Sequence, residues 1–388
     1  MNLRSTFQKI LLLLLGPVLL LTLSLNVSAE EESHEIGEEL PEEYLDFLEA
    51  IPEDIAELLP EELFSKNTDE VGVAVQEMSR FSYLLHTLLD LIGLRLQDCL
   101  QILAPLCGIL ILSAVCRTLK TSFGSEGLAK AFSFCATLLI TVALIRWSSR
   151  SLESVTDYFS TLNALTTASI PLMGALYAMG GNVASAVAAS GGLSLFLGVM
   201  ENLVSRSILP FCGICMALAL VHAVDANLRT GSLLTTLKKN YTTALSFLMM
   251  LLLAMLGAQT TLAARSDTLA MRSAKFAAGT LIPVVGGSVS ELLRTVSASV
   301  GFLRGTVGIC GILLLLLTLL PTLVELLLLR FTWQLAASLA DVLGCDGEKK
   351  LLEEFASLLG FLVAAVCICS SVFLLSLTLL AHCTVALG

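Results

Sequence analysis

Charged residues are scarce in this chain. Only 14% of its 388 residues are Asp, Glu, Lys or Arg, whereas 56% are hydrophobic and the mean hydropathy is +0.86. A typical soluble domain carries about 25% charged residues, and its core could not hide this much apolar surface. The composition therefore excludes an ordinary soluble protein and predicts an integral membrane protein, for which lipid is the solvent of much of the chain.

Sequence signatures of catalysis are missing as well. The chain has no G-x-x-x-x-G-K-[ST] phosphate loop and no H-E-x-x-H zinc motif, and its four histidines are scattered. Cys212 and Cys215 have the Cys-x-x-Cys spacing, but no histidine or second cysteine pair lies near them. The odd total of eleven cysteines also argues against a disulfide scaffold. We expect no enzymatic activity, no metal and no cofactor.

The acidic charge is confined to one region. Seventeen Asp or Glu residues fall between Glu30 and Glu70, against the single base Lys66, and the rest of the chain is close to neutral. Without a basic patch, the sequence gives no sign of a nucleic-acid partner.

The N-terminus has the pattern of a signal peptide over residues 1–29. Arg4 and Lys9 precede an apolar run at 10–25, and Val27-Ser28-Ala29 supplies the small residues of a cleavage site. The apolar run is shorter than the roughly 20 residues of a permanent span. An uncleaved N-terminal anchor is the alternative, and either arrangement places the following segment outside the cytoplasm.

Residues 30–98 are predicted to form an exported acidic and helical region. Leu-Pro-Glu-Glu, Ile-Pro-Glu-Asp and Leu-Pro-Glu-Glu begin at residues 40, 51 and 59. Proline suits the first helical position, and carboxylates suit the first turn, so we expect two or three short acidic helices. Their apolar faces, which include Leu45, Leu48, Ile55 and Leu58, could dock a partner; a solvated acidic lead-in is the alternative. The periodicity over 71–96 predicts an amphipathic helix leading to the membrane.

Residues 99–388 are predicted to form a multi-span membrane domain, which makes the fold class an all-α, polytopic helical membrane protein. Six apolar segments are close to or above the length that crosses a bilayer. They cover residues 99–116, 128–147, 207–224, 241–264, 305–329 and 356–381. Two further apolar regions, 166–200 and 267–300, are broken by Gly, Ser and Pro, and are interpreted as full spans, re-entrant hairpins or interfacial helices.

The two broken regions resemble each other. Each has a proline followed by a Gly-Gly pair, and each lies between two clear spans. The residues concerned are Pro171, Gly180, Gly181 and Asn182 in the first region, and Pro283, Gly286 and Gly287 in the second. Paired interrupted segments can mark a substrate path in transporters built from repeats. Chance similarity and simple close packing are the alternatives, and Asn182 could bind a solute or satisfy broken backbone.

The span after the second break adds two candidates. Gly301, Gly305 and Gly308 fall on one side of a helix, where exposed backbone favours close packing of another helix. Glu325 lies in an otherwise apolar run, and a charge at that depth is a functional candidate by default. Alternatively, Glu325 lies near the end of its span and shares the field of Arg330.

Several segments together resemble the stage III sporulation protein AE family of endospore-forming bacteria. They are LIPVVGG at 281–287, SVGFLRGTVGICGI at 299–312, the earlier IPLM and MGG, and LADVLGCDGEKKLLE before the last span. The resemblance implies a subunit of the channel that joins mother cell and forespore, located in the outer forespore membrane on the mother-cell side. It also implies partners: a cytoplasmic ATPase and ring-forming proteins of the same complex. The family implies no catalytic residues.

We therefore expect a permease-like or scaffold subunit that is required for forespore development after engulfment. The hypothesis for its mechanism is that both Gly-Gly segments lie inside the bundle and form a pathway or a tight helix seam. An independent secondary transporter for a small solute is the first alternative. A structural anchor, which recruits partners through the acidic region and passes nothing, is the second.

Overall fold

The structure is a computed structural model of the chain, and it describes residues 42–56, 59–65, 67–123, 126–179, 182–224, 230–281 and 286–381. These residues are helical almost throughout and contain no β-strand. The all-α prediction is confirmed. The predicted signal peptide, residues 1–29, lies outside the described residues.

Three short helices follow the three prolines of the acidic region, as predicted. They are α1 (Glu42–Glu49), α2 (Glu53–Ala56) and a 3-10 helix (Glu61–Phe64). Each begins one residue after a proline, where the fixed proline φ prepares the first turn. A longer helix, α3 (Thr68–Ser79), completes this region. We call residues 42–79 the N-terminal cap.

The cap turns its apolar side chains inward and its carboxylates outward. Tyr44, Phe47, Leu48 and Ile55 are buried; Leu45 is half-buried, and Leu58 lies outside the described residues. The Tyr44 hydroxyl donates a hydrogen bond of 2.9 Å to the backbone oxygen of Leu63, which ties α1 to the 3-10 helix. Burial raises the pKa of Tyr44 above its ordinary value, so the hydroxyl keeps the proton that it donates. The predicted apolar faces are therefore used within the chain itself.

The amphipathic helix predicted over 71–96 is in fact two helices. The first, α3, ends at Ser79, and after a bend at Arg80 the second, α4, runs over Phe81–Phe123. The predicted helix differs from the observed ones at both ends. The bend was missed because hydrophobic periodicity does not reveal a bend of one residue. It also did not show that the chain stays helical through Pro105, where the ladder lacks one N–H donor.

Long helices make up the rest of the molecule. They are α5 (Glu126–Met179), α6 (Val183–Leu203), a π-helix (Val204–Ile208), α7 (Leu209–Val224), α8 (Thr230–Leu281), α9 (Gly286–Val342) and α10 (Asp346–Ala381). The π-helix joins α6 to α7 without a break, and the N–H of Leu209 donates to the oxygen of Val204. Pro210 follows directly, and its missing N–H suits the widened turn.

Among the described residues, six helices are long and apolar enough to cross a membrane. The apolar segments are Ser82–Val115, Phe134–Met179, Val183–Met200, Gly231–Ala270, Thr306–Val342 and Asp346–Thr378. Their number agrees with the prediction, but one member differs. Residues 207–224 were predicted as a span, whereas the apolar helix there, Arg206–Val221, is shorter than the other six. Residues 183–200 belong to the first broken region, for which a full span was one of the interpretations, and they form a helix of spanning length.

The two predicted breaks are short. The first separates α5, which ends at Met179, from α6, which begins at Val183; the second separates α8, which ends at Leu281, from α9, which begins at Gly286. Gly180, Gly181 and Pro283 lie in these intervals, outside the described residues. Regions 166–200 and 267–300 are thus the ends and beginnings of long helices.

Helices α9 and α10 form the centre of the bundle. They share the most extensive interface of the molecule, and 78% and 72% of their most apolar stretches are buried, against 17% for α8. Gly344 turns the chain between them with φ +70°, and the N–H of Cys345 donates to the oxygen of Ala340. This is the glycine-terminated helix end that satisfies the last carbonyls of α9.

The buried apolar side chains fall into two clusters. The larger one lies around α9 and α10, where Trp333 packs edge-on against Phe355. The second joins the N-terminal cap to residues 165–177 of α5 and 307–320 of α9, and it includes Tyr44, Leu176 and Leu314. The N-terminal cap therefore shares its core with the long helices of the bundle.

A buried ion pair links α8 to α10. Lys238 Nζ lies 3.4 Å from Glu354 Oε2 and donates a hydrogen bond of 2.7 Å to Ser357 Oγ. The two charged side chains are only 8% and 16% exposed. Near the start of α10, six residues before Glu354, Glu348 is fully buried and accepts a hydrogen bond of 2.9 Å from Ser113 of α4.

The pair gives a prediction about stability. Lys238→Met would leave the Glu354 carboxylate buried without its cation, and breaking such a pair costs about 3–5 kcal/mol. We expect a clear drop in the unfolding temperature of the detergent-solubilised protein, measured by intrinsic fluorescence. Lys238→Met combined with Glu354→Leu should regain most of the loss.

Lys349 provides the matched control. It pairs with Asp341 at 2.7 Å, but the carboxylate is 58% exposed, so Lys349→Met should change the unfolding temperature little. Equal effects of the two lysine substitutions would contradict a special role for the buried pair.

Candidate functional site

A polar cleft of about 340 Å³ lies midway along the apolar part of α9, where α4, α5 and the cap meet it. It is lined by Pro52, Ile55, Arg95, Arg150, Glu153, Ser154, Asp157, Tyr158, Thr161, Thr318, Pro321, Thr322 and Glu325. Five of these residues are charged, although the neighbouring stretches of α4, α5 and α9 are strongly apolar. Ionisable side chains beside membrane-spanning apolar segments cost free energy, so a group of them indicates a functional site.

Glu325 is the predicted candidate that lies in this cleft. Its carboxylate accepts a hydrogen bond of 3.2 Å from Ser154 of α5, and Oε2 lies 3.9 Å from the Arg95 guanidinium of α4. Arg95 also lies 3.8 Å from Asp98 on its own helix. The Glu325 side chain is 21% exposed, so it has partners and still faces the cleft.

The structure turns Glu325 and Arg330 to different sides of α9, and the alternative that Glu325 lies near the end of its membrane span stays a prediction. The helix continues to Val342, which places Glu325 far from either end. Five residues of helix also turn Arg330 about 140° away from Glu325. Arg330 instead lies against Gly360 of α10, where an added Cβ would come within 2.9 Å of the guanidinium carbon.

One face of α5 carries the remaining charges of the cleft. Arg150, Glu153 and Asp157 follow the i, i+3, i+7 spacing that places residues on one side of a helix. All three are exposed, and the Arg150 guanidinium lies over the Trp147 ring at 5.7 Å from its centroid. The cleft therefore offers two cations and three carboxylates.

The described residues that follow the first Gly-Gly pair are hydrogen-bonded within the protein. Asn182 is buried; its N–H donates to the oxygen of Tyr177 at 2.9 Å, and its own oxygen accepts from the N–H of Ala186. The carboxylate of Asp267, on α8, accepts hydrogen bonds of 2.9 and 2.7 Å from the N–H groups of Ala184 and Ser185. Asp267 is only 6% exposed and faces the positive end of the α6 dipole.

The hydrogen bonds that Asp267 accepts from the start of α6 change the interpretation of the first break. In transporters with interrupted helices, the free N-terminus of a half-helix can bind an anionic substrate group. Here a carboxylate of the chain takes that position. The hydrogen bonds of Asn182 given above join backbone groups, so both alternatives for its side chain, a contact with a solute and satisfaction of broken backbone, stay predictions. Pro171 lies inside α5, eight residues before the helix ends, and its ring is exposed.

The residues of the second region begin and line α9. Gly286 and Gly287 are its first residues, and Gly301 and Gly305 lie within it. Gly308 is buried and borders an apolar cavity together with Gly311 of α9, Phe47 of the cap and Leu172 of α5. At Gly308, the face predicted to be close-packed is therefore covered by α5 and by the cap.

The cysteines behave as apolar residues where they are described. Cys212 and Cys215 are buried in the core between α7 and the central pair of helices. Within the described ranges, no three His, Cys, Asp or Glu side chains come together in a way that could hold a metal ion.

Sequence reasoning missed most of the residues of the cleft, and it missed the contact of Asp267 with the start of α6. Arg150, Glu153 and Asp157 could have been found from their helical spacing, had the segment after residue 147 been treated as helix. Arg95 and Asp267 had no local signal, since their partners are distant in sequence.

Comparison with known proteins agrees with the architecture. Residues 70–384 match the family model described as Stage III sporulation protein AE. The Stage III sporulation protein AE of Bacillus subtilis (strain 168) is 27% identical over 301 residues, which are 77% of this chain and 73% of that protein. No solved structure matches.

The family match spans most of the chain and includes every helix from α4 to α10. Six of the described helices have the length and composition of membrane spans, so the family match falls on a membrane protein. This chain belongs to the stage III sporulation protein AE family, which implies a role in sporulation.

Proposed function

We propose that the protein is a membrane subunit of the channel complex that links mother cell and forespore, and that it is required for forespore development after engulfment. It resides in the outer forespore membrane on the mother-cell side. Its partners are membrane lipid and the other subunits of the complex, including a cytoplasmic ATPase and ring-forming proteins. It is not an enzyme, and it does not bind nucleic acid.

The observation that carries the proposal is the polar cleft around Glu325. A charge at the centre of a span costs about 2.5–3.5 kcal/mol on insertion scales. Pairing with Arg95 and Ser154 offsets part of that cost, but a purely structural pair would be closed to solvent. This pair opens onto a cavity with further charges, which suits a permease-like role or the docking of a polar group from another subunit.

An independent secondary transporter is the second candidate. The same cleft favours it, because two arginines and three carboxylates could bind a small zwitterionic solute. The capped N-terminus of α6 argues against an anion site at the first Gly-Gly break. A structural anchor would have to recruit partners through the acidic outer surface of the cap, since its apolar face is already used.

A clean deletion in the native host tests the proposal directly. We expect arrest after engulfment, with a shrunken forespore and failed late forespore gene expression, observed by fluorescence microscopy. Expression of the intact gene from another locus should restore sporulation. Normal spores in the deletion strain would refute the channel role and leave the transporter, for which solute uptake into liposomes is the next assay.

The cleft itself is tested at Glu325. Glu325→Leu removes the acceptor of both Ser154 and Arg95, and since a hydrogen bond to a charged group contributes about 1.5–3 kcal/mol, we expect heat-resistant spore counts to fall about tenfold or more. Glu325→Gln keeps an acceptor for Ser154 and should be milder.

Glu353→Gln is the control for that series, because Glu353 is an exposed carboxylate on α10 away from the cleft. All variants are compared at equal protein level in the membrane. Unchanged spore counts for Glu325→Leu would show that the cleft has no part in the function.

The glycine positions of α9 give a further prediction. Replacing Gly286 or Gly305 by Leu should block sporulation if these positions lie in a pathway or a tight seam. Gly213→Leu is the matched control, since Gly213 is exposed on α7 with nothing within 4 Å of an added Cβ. Normal sporulation of both α9 variants would overturn the hypothesis.

A further inference from the structure

We propose that the polar cleft binds a primary ammonium group at the end of a short apolar chain. Glu153 and Asp157 of α5 supply the opposite charge, and Thr322 of α9 accepts a hydrogen bond at the buried end of the cleft. This ligand class rests on the proposed function of the cleft, because it names what the cleft receives. Its binding is measured on the purified protein, apart from sporulation.

The buried end of the cleft contains a hydroxyl group without a partner in the described part of the chain. Thr322 lines the cleft and is only 7% exposed. On the same helix, the hydroxyls of Thr318 and Thr332 each donate to the backbone oxygen four residues earlier, at 2.8 and 2.9 Å.

The Thr322 hydroxyl, in contrast, forms no hydrogen bond among the described residues. Its oxygen is not one of the fully enclosed polar atoms, so it opens onto the cleft. Buried polar groups in proteins normally have a hydrogen-bond partner. A polar group that is nearly buried, unpartnered and beside a cavity therefore indicates a ligand that bonds to it.

Both arginines of the cleft already have a partner in the protein. The Arg95 guanidinium lies between two carboxylates, 3.9 Å from Glu325 and 3.8 Å from Asp98. The Arg150 guanidinium lies over the ring of Trp147. The cations of the cleft are therefore occupied, which leaves an anionic ligand little to pair with.

The charge that lacks a partner is negative. Glu153 and Asp157 line the cleft and are exposed, one helical turn apart on α5. Within the described ranges, neither carboxylate forms an ion pair. Like charges four residues apart on a helix repel each other. A cation that binds beside them removes this repulsion, so the cleft favours a cationic ligand.

Asp157 and Thr322 lie at the same level of the cleft. Helices α5 and α9 run in opposite directions, since residues 165–177 of α5 pack with 307–320 of α9, and the earlier Ser154 bonds to the later Glu325. Three residues after Ser154 and three residues before Glu325 are therefore equal steps along the two helices, at about 1.5 Å per residue. The carboxylate and the hydroxyl can contact one ligand from two sides.

The lining of the cleft suits an organic cation better than a bare metal ion. Within the described ranges, no three His, Cys, Asp or Glu side chains come together in a way that could hold a metal. The cleft of about 340 Å³ lies in the range of small-molecule sites, about 300–1,000 Å³. Pro52, Ile55 and Pro321 form apolar parts of its wall. A primary ammonium group donates to the carboxylate and the hydroxyl, while its carbon chain contacts this wall.

The experiment measures binding of n-butylammonium chloride to the full-length protein in lipid nanodiscs by saturation-transfer difference NMR. The signal from empty nanodiscs is subtracted, and sodium butanoate serves as the anion of equal chain length. We expect saturable binding of n-butylammonium and weaker binding of butanoate. Equal binding of the two ions would overturn the proposal, because contact with the apolar chain alone would then explain it.

Thr322→Val tests the buried end of the cleft. It removes the hydroxyl, keeps the shape of the side chain and breaks no hydrogen bond among the described residues. The Kd of n-butylammonium should rise about tenfold, because a hydrogen bond to a charged group is lost. Thr243→Val is the matched control, since Thr243 is exposed on α8 and lies outside the cleft. An unchanged Kd in Thr322→Val would show only a general attraction of cations to acidic groups and would overturn the site.

Asp157→Asn tests the opposite charge at an exposed position, where folding is not at risk. Loss of a partly exposed ion pair should raise the Kd of n-butylammonium roughly threefold. Asp90→Asn is the matched control, because Asp90 is exposed on α4 and does not line the cleft. Equal effects of the two substitutions would contradict a contact between Asp157 and the ammonium group.

The ammonium group has two sources, a free amine or a lysine side chain of another subunit. The blocked peptide acetyl-glycyl-lysyl-glycinamide distinguishes them. Binding of this peptide as tight as that of n-butylammonium supports the lysine, and binding of n-butylammonium alone supports the free amine.

The inference and the proposed function fail separately. Normal sporulation after deletion of the gene would leave the binding results intact and would remove only their meaning for the channel. Absence of binding in a protein whose deletion arrests sporulation would overturn the ligand class and leave the proposed function standing.

Discussion

Inside a bilayer no water is available to a backbone N–H or C=O group, so the protein must satisfy every place where a helix stops. The described chain does this in three ways. The π-helix at Val204–Ile208 joins two helices without a break. Gly344 folds the end of α9 back on its own carbonyls. Asp267 supplies, from another helix, the acceptors that the start of α6 lacks. Through that last contact, α8 is fixed against α6, and the bundle can enclose α10.

The buried charges follow the same constraint with two different outcomes. Lys238, Glu354 and Ser357 satisfy one another inside the bundle and leave little room for anything else. Glu325, Arg95 and Ser154 are also matched, but they face a cavity that continues to further charges on α5. The first group holds helices in register. The second is arranged to meet something that comes from outside the bundle, which is why we place the function there.

The fold class could be predicted from the sequence because it depends on local features. Long apolar runs require helices in lipid, and each proline of the acidic region marks the start of a short helix. The length of α9 was missed for a specific reason. Arg330 suggests the end of a span, yet the helix continues past it, and the guanidinium lies against Gly360 of the neighbouring helix. That accommodation depends on a residue thirty positions away.

The site could be predicted only in part, for a similar reason. Glu325 stood out as a charge in an apolar run, but its partner Arg95 lies on a helix more than two hundred residues earlier. The apolar face of α1 was evident from its spacing, whereas its seat on α5 and α9 was not. Packing between distant segments decides such contacts, and hydrophobic periodicity contains no information about it.

The core that the N-terminal cap shares with the bundle also sets an order of events during synthesis. Met78 and Val307 share that core, but Val307 is 229 residues further along the chain. At about 5–20 residues per second, the ribosome needs roughly 10–50 s to make the intervening segment. During that interval the apolar side of the N-terminal cap can contact only α4, α5 and α6, because the α9 side chains of the shared core have not been made. Docking of the cap is therefore completed only when α9 is synthesised.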